Sequence, residues 1–128
     1  MSALGCLLAA KQAIPAMRQP GGGSIVIIGA TASIKGAAGF VAFAAAKAAQ
    51  RSLAQSLARQ LGPEGIHVAH VVIDAVVDMP ASRAMLPDRP DAFFAQPADI
   101  ADTIYFLTQQ PRSAWTFELD LRPFREHW

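Results

Sequence analysis

Two apolar runs, Ser24-Ile25-Val26-Ile27-Ile28-Gly29 and Ile66 to Ile73, the second broken only by His67 and His70, constrain this chain more than any other feature. A strand that is apolar on both sides must be covered on both sides, which places it inside a parallel sheet with helices above and below. Parallel neighbours need a long crossover. The segment between the runs supplies one: Phe40 to Leu61 reads as a helix, ended by Gly62-Pro63-Glu64-Gly65. Its leucines Leu53 and Leu57 share a face with Ala42, Ala45, Ala46 and Ala49, and Arg51, Gln55 and Arg59 mark a more polar side.

The remaining elements follow the same alternation. Ser2 to Met17 reads as a helix, with Leu4, Leu7, Leu8 and Ile14 near the 3.6 period and Ser2 as N-cap. Pro15 sits in its last turn, and Pro20-Gly21-Gly22-Gly23 ends it. Ala30 to Gly39 is a loop in which Thr31 and Ser33 are suited to cap the turn after the strand. Asp74 to Gln96 is irregular, its prolines Pro80, Pro87 and Pro90 allowing only a helical turn at Ala81 to Leu86. Pro97-Ala98-Asp99 opens a helix that runs to Gln110. Trp115 to Leu121 alternates apolar with polar residues and predicts a third strand, followed by an extended tail, Arg122 to Trp128. The expected fold class is α/β: three layers, with a short parallel sheet of about three strands flanked by helices. The 128 residues suit a single unit.

Composition narrows the function classes. With 11 basic and 10 acidic residues the net charge is +1, and no Lys/Arg cluster gives a nucleic-acid footprint. No apolar run is long enough to span a bilayer, and no signal-peptide pattern opens the chain. One cysteine, Cys6, allows no internal disulfide, so the cytoplasm is the expected compartment and Cys6 reads as a buried thiol. Charged residues make up 16% of the chain against a usual quarter, and alanine contributes 26 residues, which implies helices packed closely on a sheet or on a partner. His67 and His70 are three apart in a strand, point to opposite sides and cannot share one metal ion. They read as satisfied, partly buried side chains. Asp74 could pair with His70, but no nucleophile elbow accompanies them. Trp115, Phe117, Phe124 and Trp128 read as core and interface anchors.

Taken in order, the glycine cluster and strand Gly21 to Ile28, the small-residue loop Gly29 to Gly39, and Phe43-Ala44-Ala45-Ala46-Lys47 in a long helix resemble the C-terminal half of the short-chain dehydrogenase/reductase family. The turn Leu61-Gly62-Pro63-Glu64-Gly65-Ile66-His67-Val68 and the segment Ala114 to Leu121 are similar to the family's entries into its last two strands. The resemblance implies a partial Rossmann-like fold and descent from an NAD(P)-dependent oxidoreductase. In that family a tyrosine, a lysine, a serine and an asparagine manage the proton that accompanies hydride transfer. It places Phe43 at the tyrosine position, Lys47 at the lysine, Ala30 at the serine and Ser2 at the asparagine. Phenylalanine has no proton to give, so general-acid chemistry is lost there, and three of the four groups are missing or changed. A divergent branch of the family carries the same phenylalanine with the lysine kept, and Gly29-Ala30-Thr31-Ala32-Ser33 and Ser113 to Glu118 look like that branch. Thr31 is a possible substitute for the lost serine hydrogen bond.

By the same resemblance, Lys47 and the end of the second strand, Asp74 and Ala75, are the expected contacts to NAD or NADP. The family's Pro-Gly at that strand end is replaced here by Ile73-Asp74-Ala75-Val76. The glycine-rich G-x-G-x-x-G turn that binds a pyrophosphate does not occur in the sequence. Three readings follow: a catalytically degenerate oxidoreductase, a non-catalytic assembly module, or a fragment of a longer oxidoreductase. The family also implies a homo-oligomer through the helices 2–17 and 40–61, with the first strand presenting an unpaired edge.

Overall fold

A computed structural model describes residues 3–128. In chain order its elements are α1 (Ala3–Met17), β1 (Gly23–Ala30), α2 (Val41–Leu61), β2 (Ile66–Ile73), β3 (Val76–Val77), α3 (Pro80–Met85), β4 (Phe94–Ala95), α4 (Pro97–Thr108) and β5 (Glu118–Leu121). The two apolar runs become eight-residue strands in parallel register, from Gly23 beside Ile66 to Ala30 beside Ile73. β5 joins the other side of β2, also parallel, with Ile73 beside Leu121, so the sheet order is β1-β2-β5.

Both sides of the sheet are covered. On one, Ile25, Ile27, Ile66 and Val68 meet Ala10 of α1 and Ala54, Leu57 and Leu61 of α2. On the other, Val26, Ala69, Val71 and Ile73 pack on Ile104 and Leu107 of α4. This is the expected three-layer α/β arrangement, and the fold is that of a partial Rossmann-like unit. β2 is buried along nearly its whole length, whereas among the described residues β1 pairs with β2 alone and leaves its outer edge unpaired. Along that edge runs a groove of about 490 Å³ between α1 and β1, floored by Ile25 to Ile28 and flanked by Cys6, Lys47 and Gln50.

Several expectations are corrected. The third strand is shorter than its alternating pattern predicts, because the side chain of Gln110 captures its first residues. Its Oε1 accepts from the Thr116 backbone at 2.9 Å and its Nε2 donates to Thr116 Oγ1 at 2.8 Å. Trp115 turns aside to stack on His67, 4.7 Å between ring centres. The irregular segment holds the expected helical turn, as α3, and beyond expectation a second, two-stranded parallel sheet, β3 with β4. Its hub is Arg83, which bridges Asp78 and Asp91. On α2 the buried residues are Gln50, Ala54, Leu57 and Leu61, while Ala42, Ala45 and Ala49 face outward. Phe124 and Trp128 are exposed rather than core. Cys6 is half-buried, with its sulfur accepting from Gln50 Nε2 at 2.9 Å. Ser2, read as N-cap and as the asparagine equivalent, lies outside the described residues.

Candidate functional site

In parallel sheets flanked by helices, ligands bind beyond the carboxyl ends of the strands. Here the register aligns those ends: Ala30, Ile73 and Leu121 are neighbours, so Thr31, Asp74 and Arg122 emerge side by side. Thr31 Oγ1 donates to Asp74 Oδ1 at 2.5 Å, and Arg122 Nε donates to Asp74 Oδ2 at 3.3 Å. Arg122 also binds Asp120. Ser33 caps the turn, since the Ala30 N–H donates to its Oγ at 2.9 Å. Thr31 does not use its hydroxyl in that way.

Beside this row lies an apolar cavity of about 380 Å³. Ala30, Ile73 and Ala75 line it from the strand ends, Thr31 and Lys35 from the loop, and Phe40 and Phe43 from the start of α2. The structure thus brings together four of the residues singled out by sequence, Ala30, Thr31, Phe43 and Ala75. Asp74 stands behind Thr31. Phe43 is about half exposed and offers a ring edge with no hydroxyl. Lys47, one helical turn on, lies beneath that ring, its Nζ 5.9 Å from the ring centre, and donates to the Ile28 carbonyl at 3.0 Å. That carbonyl belongs to the unpaired edge of β1, so Lys47 faces the groove along the edge while Phe43 faces the cavity.

A second polar group runs under the sheet. Arg51 of α2 binds Glu118 of β5 through Nε and Nη2, at 2.8 and 2.9 Å. His70 Nδ1 lies 2.8 Å from Glu118 Oε2. The Arg51 guanidinium is the largest influence holding the Glu118 carboxyl below its ordinary pKa; burial opposes it and His70 assists. Because an ionised carboxylate only accepts, His70 carries its proton on Nδ1. Its Nε2 is fully buried with no partner and is directed at Gly29, where an added Cβ would lie 2.3 Å away. The sequence pairing of His70 with Asp74 is therefore replaced by His70 with Glu118. His67 is satisfied by the Thr116 carbonyl at 2.8 Å. Nothing in the local pattern marks Arg51, Glu118 and Arg122 as partners in these groups, because the fold joins them to residues 67 and 48 positions away in the chain. The one available signal was that Thr31 and Asp74 each directly follow an apolar run. Among the described residues no His, Cys, Asp and Glu group could hold a metal ion, and no helix is long and apolar enough to cross a membrane.

Comparison with known proteins agrees with this geometry. Residues 1–118 match the family model described as Enoyl-(Acyl carrier protein) reductase. Carbonyl reductase family member 4 of Danio rerio is 33% identical over 112 residues, covering 84% of this chain and 47% of that protein. The crystal structure of a short-chain dehydrogenase from Rhodopseudomonas palustris superposes with a TM-score of 0.76 at 40% identity, over 97% of this chain and 49% of that one. A serine dehydrogenase complexed with NADP+ shares the fold, with a TM-score of 0.81 at 18% identity over 97% of this chain and 53% of that one. The chain belongs to the short-chain dehydrogenase/reductase family, and it spans about half the length of these relatives.

Proposed function

We propose that this chain forms the substrate end and the nicotinamide-ribose end of an NAD(P)-dependent oxidoreductase whose proton-transfer set has degenerated. The observation that carries this reading is the Phe43–Lys47 pair. The lysine keeps a fixed place on the Ile28 carbonyl, while the ring above it has no proton to give. The residues present fit the ribose end of a nicotinamide nucleotide. Lys47 has three ammonium hydrogens, of which the Ile28 carbonyl takes one, leaving donors for ribose hydroxyls. Ala75 lines the cavity at the end of β2, where the nicotinamide ring would approach the substrate. Asp74, expected as a cofactor contact, already has its two oxygens engaged by Thr31 and Arg122, so its contribution is indirect. The bound dinucleotide would supply hydride acceptance or donation; the chain supplies position and charge.

The test is fluorescence titration of the purified chain with reduced nicotinamide mononucleotide and with NADPH, compared with Lys47→Ala. Loss of a charged hydrogen-bond donor should weaken binding by about tenfold or more. Equal binding by the variant would remove Lys47 from the site, and steady NADPH oxidation with ketone substrates would overturn the degenerate reading.

A second reading has its own support. α1 exposes Leu4, Leu7 and Leu8, and α2 exposes Val41 together with Ala42, Ala45 and Ala49. Small and apolar residues on adjacent exposed helices suit contact with a second copy, so a homo-oligomer through the helices 2–17 and 40–61 is proposed as an assembly role. A monomeric mass by light scattering at micromolar concentration would sink it.

A further inference from the structure

Arg18, Arg51, Arg83 and Arg122 each hold a carboxylate. Among the described residues Arg89 and Arg125 hold none and lie instead over aromatic rings, Arg89 4.7 Å from the centre of Phe93 and Arg125 5.1 Å from that of Phe124. A guanidinium laid over a ring presents a face to it, while its five N–H donors lie in its own plane and remain available. Asp91, the acidic side chain two residues after Arg89, is taken by Arg83. Both arginines border one cavity of about 290 Å³, at the small end of ligand pockets. Arg89 and Phe93 line it from the segment leading into β4, and Pro123, Arg125, Glu126 and His127 line it from the tail. His127 adds a ring N–H that is present in either protonation state. Glu126 is the one acid in the lining, and among the described residues it pairs with neither arginine.

We propose that this cavity binds a small phosphate monoester, with Arg89, Arg125 and His127 donating to the phosphate oxygens and Phe93 and Pro123 covering the apolar part. The donor set selects the anion. A carboxylate has two oxygens to offer three donor groups, whereas a phosphate monoester has three, and guanidinium forks match them in pairs. Glu126 limits the affinity, because its charge opposes that of the ligand. The site shares no lining residue with the strand-end cavity or with the groove at Lys47, so it stands or falls apart from the oxidoreductase reading.

Saturation-transfer NMR follows phenyl phosphate on the full chain, with inorganic phosphate, benzoate and benzyl alcohol added as competitors. Phenyl phosphate should bind saturably; inorganic phosphate, which lacks the ring, and benzoate, which lacks the third oxygen, should each compete at least about threefold more weakly. Benzyl alcohol, without charge, should not compete. Arg89→Gln and Arg125→Gln should each weaken binding by about three- to tenfold, the value of a charged hydrogen bond at a partly solvated site. Glu126→Gln should tighten it, and Arg59→Gln, an exposed arginine on α2, should leave it unchanged. No binding of phenyl phosphate at millimolar concentration, equal competition by inorganic phosphate, benzoate or benzyl alcohol, full binding by the Arg89→Gln/Arg125→Gln double variant, weaker binding by Glu126→Gln, or an equal loss in Arg59→Gln would each overturn the proposal.

Discussion

Position 43 decides what chemistry the Lys47 ammonium can reach. Replacing the ring edge with a phenol by Phe43→Tyr would put a titratable hydroxyl within the field of that ammonium, and an adjacent cation favours the phenolate. In a Tyr105→Phe background, spectrophotometric titration of Phe43→Tyr should show a midpoint below the ordinary tyrosine value of about 10. A midpoint at or above that value would mean that Lys47 exerts no influence on position 43. Gly29 makes a different demand. Its φ is unremarkable, but His70 Nε2 occupies the place of a side chain, so Gly29→Ala must displace a fully buried ring. Overpacking of that kind costs about 1–3 kcal/mol. Urea denaturation should show this loss, and most of it should vanish when the variant is combined with His70→Ala and compared with His70→Ala alone.

At the level of elements, α4 holds one whole side of the sheet through Leu107, which is fully buried against Ala69 and Val71. Leu107→Ala should cost about 2–5 kcal/mol, measured by chemical denaturation. The small β3–β4 sheet and α3 depend more on charge than on core. Asp78 is lowered from 3.8 to about 2, first by its hydrogen bond to Arg83 and then by that to Gln96. A carboxylate whose folded pKa is depressed stabilises the fold above its unfolded value and loses that contribution as pH falls through the folded one. The loss on acidification should therefore run from about pH 4 to about pH 2. Thermal melts of Asp78→Asn should be flatter than wild type across that window, and an identical slope would show that Arg83 does not stabilise the lobe through this pair.

For the whole molecule, the unpaired edge of β1 and the exposed apolar residues of α1 and α2 are two separate surfaces. If α1 meets a second copy, Leu8→Glu should shift the light-scattering mass to that of a monomer without changing the far-ultraviolet dichroism. The layers were legible in the sequence because a run such as Ile25 to Ile28, apolar at every position, has one low-energy solution, burial on both sides. The helix starts at Pro97 and the glycine-rich ends were legible because they are local chemistry. The roles of positions 43 and 47 came from the family resemblance, and spacing shows only that the two lie one helical turn apart. Local pattern did not reveal which side of α2 is buried, since alanine suits an exposed and a buried position alike, nor where β5 begins, since the Gln110 side chain diverts it. The row Thr31, Asp74, Arg122 exists only because three strands stop in register, joining residues 43 and 48 positions apart. Sequence alone determined the layers and that a phenylalanine stands at position 43; tertiary structure alone decided which polar groups meet at the strand ends, because strand pairing sets distance where chain spacing does not.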